Sequence, residues 1–276
     1  MRRAVPARDV VNLSAAARVG PLGSQCLRAG QGWALVCSDG DGRALLLIAD
    51  IGGYTEYMQF HRSVLGHAEA ATARMLGKVG KVGVARDFEL IEIEIDAAFL
   101  SRNAAGLDGP STLGVVTKAA FAMRDAVHRE RQLVQLNMCP CGSCKQCSAL
   151  KLKFFSHVGE VATQTIKRRK KLVGLNVIHV HRMLKNPVDV PESLLVTDEF
   201  FRLDDTASSE LMMQDLDLDL EGIGQVRTHY VDVGNLAIPP PRLSWPQRIG
   251  GPFTMAGRGI PYAVGRRRPL AIASTR

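Results

Sequence analysis

The run Leu45-Leu46-Leu47-Ile48-Ala49 is apolar without a break and stops on a carboxylate, Asp50, before Ile51, Gly52, Gly53, Tyr54 and Thr55 lead into polar sequence. An uninterrupted apolar segment this short, closed by glycines, reads as a buried strand over residues 43–51. Asp50 at its mouth has two readings. Asp followed by Gly-Gly is ordinary punctuation between a strand and a turn. Alternatively, a buried strand that ends on a carboxylate is costly unless a cation, or a phosphate carried with one, sits against it. On that reading the ligand is a metal-bound nucleotide.

A second acidic segment adds weight to the chemical reading. From Phe88 to Leu100 the chain alternates apolar and acidic residues with period two through Glu92, Ile93, Glu94, Ile95 and Asp96. In one extended strand Ile91, Ile93 and Ile95 face a core, while Glu92, Glu94 and Asp96 share the other face roughly 6 to 7 Å apart. Neighbouring carboxylates repel. Either water screens this face or divalent ions neutralise it.

The remaining pattern sets the fold class. Residues 55–82 carry Val64, Leu65, Ala68, Met75, Leu76, Val79 and Val82 at helical spacing, broken early into two pieces. Strands follow near 88–101. Ser111 or Thr112 caps a helix with Leu113, Val116, Ala120, Met123 and Val127 on one face. Strands near 150–157 and 160–166 precede a short helix that stops before Pro187. A strand at 193–197, a helix opened by Asp198 and a strand at 225–233 complete the series. Long helices alternating with antiparallel-looking strand pairs predict an α+β fold, a two-layer sandwich of ferredoxin-like type. Residues 1–42 show little periodicity and read as a poorly ordered leader. Residues 43–233 form the expected domain, and 234–276, rich in Pro, Gly and Arg, read as a tail.

Cys139, Cys141, Cys144 and Cys147 fall in the spacing C-x-C-x2-C-x2-C, with Pro140 and Gly142 supplying tight turns. Four thiolates this close can converge on one tetrahedral soft-metal site. Zinc is the first choice and an iron-sulfur cluster the second; a disulfide or redox pair is the alternative. Four protein ligands leave no open position, so such a metal staples the loop and does not meet substrate.

The order of these segments resembles the catalytic domain of class III adenylate and guanylate cyclases: LLLIADIGGYT, then EIEIDAAF, then LKLKFFSHVGEV, then GLNVIHVHRMLKN. The resemblance, closest to a group of bacterial cyclase-homology proteins, covers about residues 43–233. It implies that Asp50 and Asp96 bind two metal ions, Mg or Mn, with the carbonyl of Ile51 as a further ligand. It also implies that Gly52, Gly53, Tyr54 and Thr55 cradle the phosphates of a nucleoside triphosphate. Hard cations held by oxygens can lower the pKa of a ribose hydroxyl and stabilise departing pyrophosphate. The family's catalytic arginine falls on Arg182, and its asparagine on Ile178. The two base-reading positions fall on Glu92 and Lys171, charge-reversed from the adenylate pattern. Ile95 stands where cyclases have glycine. Cyclases of this class complete their sites across a dimer, which implies a homodimer.

The chain has 276 residues and 46% hydrophobic content, ample for one core. The longest purely apolar stretch, 44–49, is far short of the ~20 residues of a membrane span. The basic start lacks the apolar segment of a secretory signal, and clustered thiols without an export signal favour a cytoplasmic location. The net charge of +8 is concentrated in runs at 167–171 and 266–268. These runs lack interleaved stacking aromatics, so they read as solvated surface ahead of nucleic-acid binding. The leading expectation is a divergent cyclase-like protein that binds a metal–nucleoside triphosphate. Its rival is an inactive regulatory or scaffolding module with a structural Cys-metal site.

Overall fold

Around the apolar run the chain forms a long strand, β3 (Leu35–Gly52), in a computed structural model that describes residues 18–19, 25–28, 35–60, 65–107, 109–137, 142–166, 169–201 and 212–234. Two units are distinguished: Met1–Asp41 with Ala162–Val173, and Gly42–Val161 with Gly174–Arg276. In the first, β1 (Arg18–Val19) pairs antiparallel with β2 (Gln25–Arg28), and β2 with the start of β3. There too the end of β6 (Lys151–Ile166) pairs antiparallel with β7 (Arg169–Val173).

The second unit carries the core. Its helices are α1 (Tyr54–Phe60), α2 (Leu65–Val84), α3 (Gly109–Asn137), the short α4 (Gly142–Gln146) and α5 (Leu175–Arg182). Its strands include β4 (Glu89–Ile93), β5 (Ala97–Asn103), β8 (Ser193–Thr197), β9 (Gln214–Leu220) and β10 (Gly224–Asp232). They run β4-β5-β3-β6-β8-β10-β9 across the sheet. β4 with β5, β5 with β3, β8 with β10 and β10 with β9 pair antiparallel, whereas β6 pairs parallel with β8, where Phe155 lies opposite Leu195.

Because side chains alternate along a strand, β3 serves two faces. Leu45, Leu47, Ala49 and Ile51 join one cluster with Ala68, Met75 and Val79 of α2 and Val116, Ala120 and Met123 of α3. Leu46 and Ile48 point the other way and are equally buried. On that face α5 packs near β5, the ring of His181 meeting the edge of Phe99 at 5.0 Å between centroids. Truncating one of the buried leucines to alanine costs about 2–5 kcal/mol.

The structure corrects four expectations. The acidic segment is not one strand through Asp96: β4 ends at Ile93, and Ile93 and Ile95 are 51% and 78% exposed where a core face was expected. A bulge between Leu90 and Glu92 shifts the register, and the N–H of Glu94 donates to the carbonyl of Ala97 at 2.8 Å, closing a hairpin turn that ends the period. The two strands expected at 150–166 are one, β6. The segment opened by Asp198 is a single 3-10 turn, Asp198–Phe200. Finally, β9 forms where no strand was expected, with Leu218 and Leu220 buried. Much of the C-terminal tail and the basic run 266–268 lie outside the described residues.

Candidate functional site

Pairing of β3 with β5 sets Asp50 opposite Ala97, so Asp96 is the next residue along on the neighbouring strand's approach. The N–H of Ile51 donates to the carbonyl of Asp96 at 2.9 Å, fastening the two segments together. Both aspartates are half-buried. The Asp50 carboxyl is pushed up to about 6, by burial first and then by the charge of Asp96; Lys153 opposes this and Glu94 adds to it. Burial, then Asp96 and Glu69, also pushes up the Tyr54 hydroxyl. The Lys153 ammonium, which faces this region, donates to the carbonyl of Val188 at 3.0 Å.

The turn after β3 follows from its glycines. Gly53 has φ of +81°, a conformation side-chain-bearing residues seldom adopt, and its carbonyl receives the N–H of Tyr57 at 3.0 Å as α1 begins. Thus Ile51, Gly52, Gly53, Tyr54 and Thr55 lie beside the aspartate pair. The donors fit a hard divalent cation: two carboxylates and a backbone carbonyl suit an ion that keeps its other positions for water and phosphate oxygens. Among the described residues no three His, Cys, Asp or Glu side chains converge as a metal cluster.

Helix α5 is held by a polar clamp that sequence reasoning missed. The amide of Asn176 donates to the carbonyl of Glu160 at 2.8 Å, and its oxygen lies 2.8 Å from Nε2 of the buried His157. That oxygen can only accept, so Nε2 carries the proton, and Nδ1 accepts from the Thr197 hydroxyl at 2.8 Å. The clamp needs Gly159: a Cβ there would lie 2.4 Å from Cγ of Asn176. His179 stacks on His157 with centroids 4.2 Å apart. Burial, then the neighbouring His157, lowers the His179 imidazole to about 4, and burial lowers His157 against the Asn176 hydrogen bond and Glu199. Both rings are neutral at pH 7, which suits a structural role.

The clamp presents the outer face of α5. Ile178 is 50% exposed, and Leu175 is 64% exposed. Nε2 of His181 lies 3.1 Å from the carboxylate of Glu94, joining the helix to the β4–β5 turn. Arg182 forms an ion pair with Glu221. Glu92 is exposed on β4; Lys171 is exposed on β7, in the other unit.

Cys144 and Cys147 are fully buried, and the Cys147 sulfur lies 3.0 Å from the carbonyl of Cys144. Cys139 and Cys141 lie outside the described residues. Nearby, the buried Glu192 accepts from Nε2 of His128 at 2.6 Å and lies 3.6 Å from Nε of the fully buried Arg124. A groove of about 950 Å³ runs between α2 and α3, edged by Lys78, Lys81, Arg86 and Arg129, and contains none of the expected site residues.

Comparison with solved structures finds the same fold in nucleotide cyclases. The guanylyl cyclase Cya2 superposes with a TM-score of 0.55 at 13% identity, covering 72% of this chain and 98% of that one. The adenylyl cyclase CyaB from P. aeruginosa gives 0.51 at 14% identity, covering 74% and 98%. The guanylate cyclase domain of RhGC from Catenaria anguillulae, in complex with GTP, gives 0.50 at 13%, covering 70% and 97%. At these identities the likeness is one of fold: the chain has the α+β architecture of cyclase catalytic domains. A family profile described as "Protein of unknown function (DUF2652)" matches residues 73–193. The "Uncharacterized protein Rv2561/Rv2562" of Mycobacterium tuberculosis is 35% identical over 193 residues, 69% of this chain and 88% of that protein. By that extent of shared sequence, the chain belongs to the family of the M. tuberculosis protein Rv2561/Rv2562.

Proposed function

We propose that this chain is a divergent class III nucleotide cyclase-like protein that binds a metal–nucleoside triphosphate through Asp50 and Asp96. The observation that carries the reading is the joining of those two residues across β3 and β5, with the Asp50 carboxyl raised partly by the charge of Asp96. Two like charges held together await a cation. A bound Mg2+ or Mn2+ would neutralise the pair and polarise phosphate oxygens. Ile51 would lend its carbonyl, and Gly52, Gly53, Tyr54 and Thr55 would line the phosphates. Gly53 supports this role because the chain turns there without a Cβ.

Arg182 would offer its guanidinium to phosphate oxygens, completing a homodimer's site from the second subunit. Ile178 brings no polar donor beside it, and one missing donor at a reacting group commonly costs about 3 kcal/mol of barrier. Cyclisation with release of pyrophosphate is therefore weak or altered in this reading. Glu92, a diverged base-reading position, would meet the base. The thiols of Cys139, Cys141, Cys144 and Cys147 would hold zinc; the burial of Cys144 and Cys147 supports this. The location would be the cytoplasm, where such thiols stay reduced.

A second reading, an inactive regulatory module on the same fold, draws on the exposed Ile178 and on Arg182 being held by Glu221. Incubating the protein with each nucleoside triphosphate and Mg2+ or Mn2+, while following cyclic nucleotide, pyrophosphate and binding, separates the two. Turnover lost in Asp50→Ala supports the enzyme. Binding without turnover supports the module, and absence of both from wild type removes the nucleotide reading.

A further inference from the structure

We propose that Glu221 is an autoinhibitory counter-ion for Arg182, which a triphosphate must displace before that arginine can serve the site. The inference rests on the reading that Arg182 contacts nucleotide phosphate. Arg182 is the last residue of α5, and its side chain is 37% exposed. Its partner comes from a distant part of the chain, the turn between β9 and β10.

The turn is built to present that carboxylate. The N–H of Ile223 donates to the carbonyl of Leu220 at 2.9 Å, and Gly222 has φ of +78°. This is a type II turn with glycine where the positive φ falls, so Glu221 occupies the outward corner. Its side chain is 75% exposed. Continuous pairing from Leu220↔Gly224 to Gln214↔Tyr230 holds the corner in register.

A guanidinium forks onto one carboxylate or one phosphate, and cannot give the same pair of N–H groups to both. The carboxylate is therefore a resident competitor. An ion pair this exposed is weak, so a phosphate bearing more charge can displace it, at the cost of the fraction of time the arginine is occupied. Any ligand that uses Arg182 binds less tightly by that fraction. A ligand that leaves Arg182 alone is unaffected.

The test measures binding of GTP and ATP with Mn2+ by calorimetry to four proteins: wild type, Glu221→Gln, Arg182→Ala and the double variant. Glu221→Gln is expected to tighten triphosphate binding about two- to fivefold, and to leave affinity unchanged when Arg182 is already alanine. Asp219→Asn, on the same hairpin, is expected to change little. A gain that persists in the Arg182→Ala background overturns the inference, because it reports general charge repulsion. Equal affinity of wild type and Glu221→Gln overturns it while leaving the nucleotide reading intact. Absence of triphosphate binding by all four removes the nucleotide reading, and the inference with it.

Discussion

Gly159→Ala should unlatch α5 from the sheet. The added Cβ would lie 2.4 Å from Cγ, 2.5 Å from Nδ2 and 2.7 Å from Oδ1 of Asn176, and Asn176 must leave. Its departure breaks the 2.8 Å bonds to His157 and to the carbonyl of Glu160. Each bond contributes about 1 kcal/mol net, and the buried Nε2–H of His157 left without an acceptor costs about 1–3 kcal/mol more. The expected loss is about 3–5 kcal/mol, read as a lower urea midpoint at unchanged m-value. Asn176→Ala breaks the same bonds and makes room for the methyl group. The double variant should therefore be no less stable than Asn176→Ala alone, a strongly non-additive cycle. A Gly159→Ala loss under about 0.5 kcal/mol, or simple additivity in the double variant, refutes the clamp.

Three further outcomes follow from the same geometry. His179 is lowered to about 4 from an ordinary 6.5, so below pH 6.5 the unfolded chain binds the proton that the folded chain refuses. Stability should fall as pH drops through the window from 6.5 to about 4, by about 2 kcal/mol at pH 5, and denaturant titrations of His179→Gln should lose that component. Asp50 is shifted the opposite way, raised to about 6, so its burden on the metal-free protein is fully present above pH 6 and relieved as pH falls toward 3.8. Asp50→Asn should stabilise that protein by about 1–3 kcal/mol at pH 7, with the gain gone near pH 4, as thermal melts would show. Elemental analysis of freshly reduced protein should find one zinc per chain, lost in Cys144→Ser and in Cys147→Ser; stoichiometry unchanged by both substitutions contradicts a thiolate site.

The features legible in the sequence were those with a strong local period or hard punctuation. The apolar run before Asp50 appears as the buried part of β3, and the stripe Leu113, Val116, Ala120, Met123, Val127 is buried on α3. Ser193–Thr197 forms β8 at the expected bounds. The acidic segment misled because period two continues past the point where the chain turns, and a hairpin closed by backbone bonds leaves no mark in hydropathy. β9 escaped because Asp215, Asp217 and Asp219 belong to a residue type depleted in strands; they sit outward while Leu218 and Leu220 supply the core face. Asp50 and Asp96 were marked by cost and by family resemblance, yet only the β3–β5 register brings them together. The Asn176–His157 clamp and the Arg182–Glu221 pair join residues far apart in sequence, and no spacing rule points to either.

The proposed site depends on one shared ion. Mn2+ electron paramagnetic resonance titrations in the presence of GTP or ATP measure it directly. Wild type should take up manganese in a triphosphate-dependent manner, and Asp50→Ala and Asp96→Ala should each abolish that uptake while remaining folded. Uptake unchanged in both variants, or lost in one only, would contradict the claim that these two carboxylates hold the same metal.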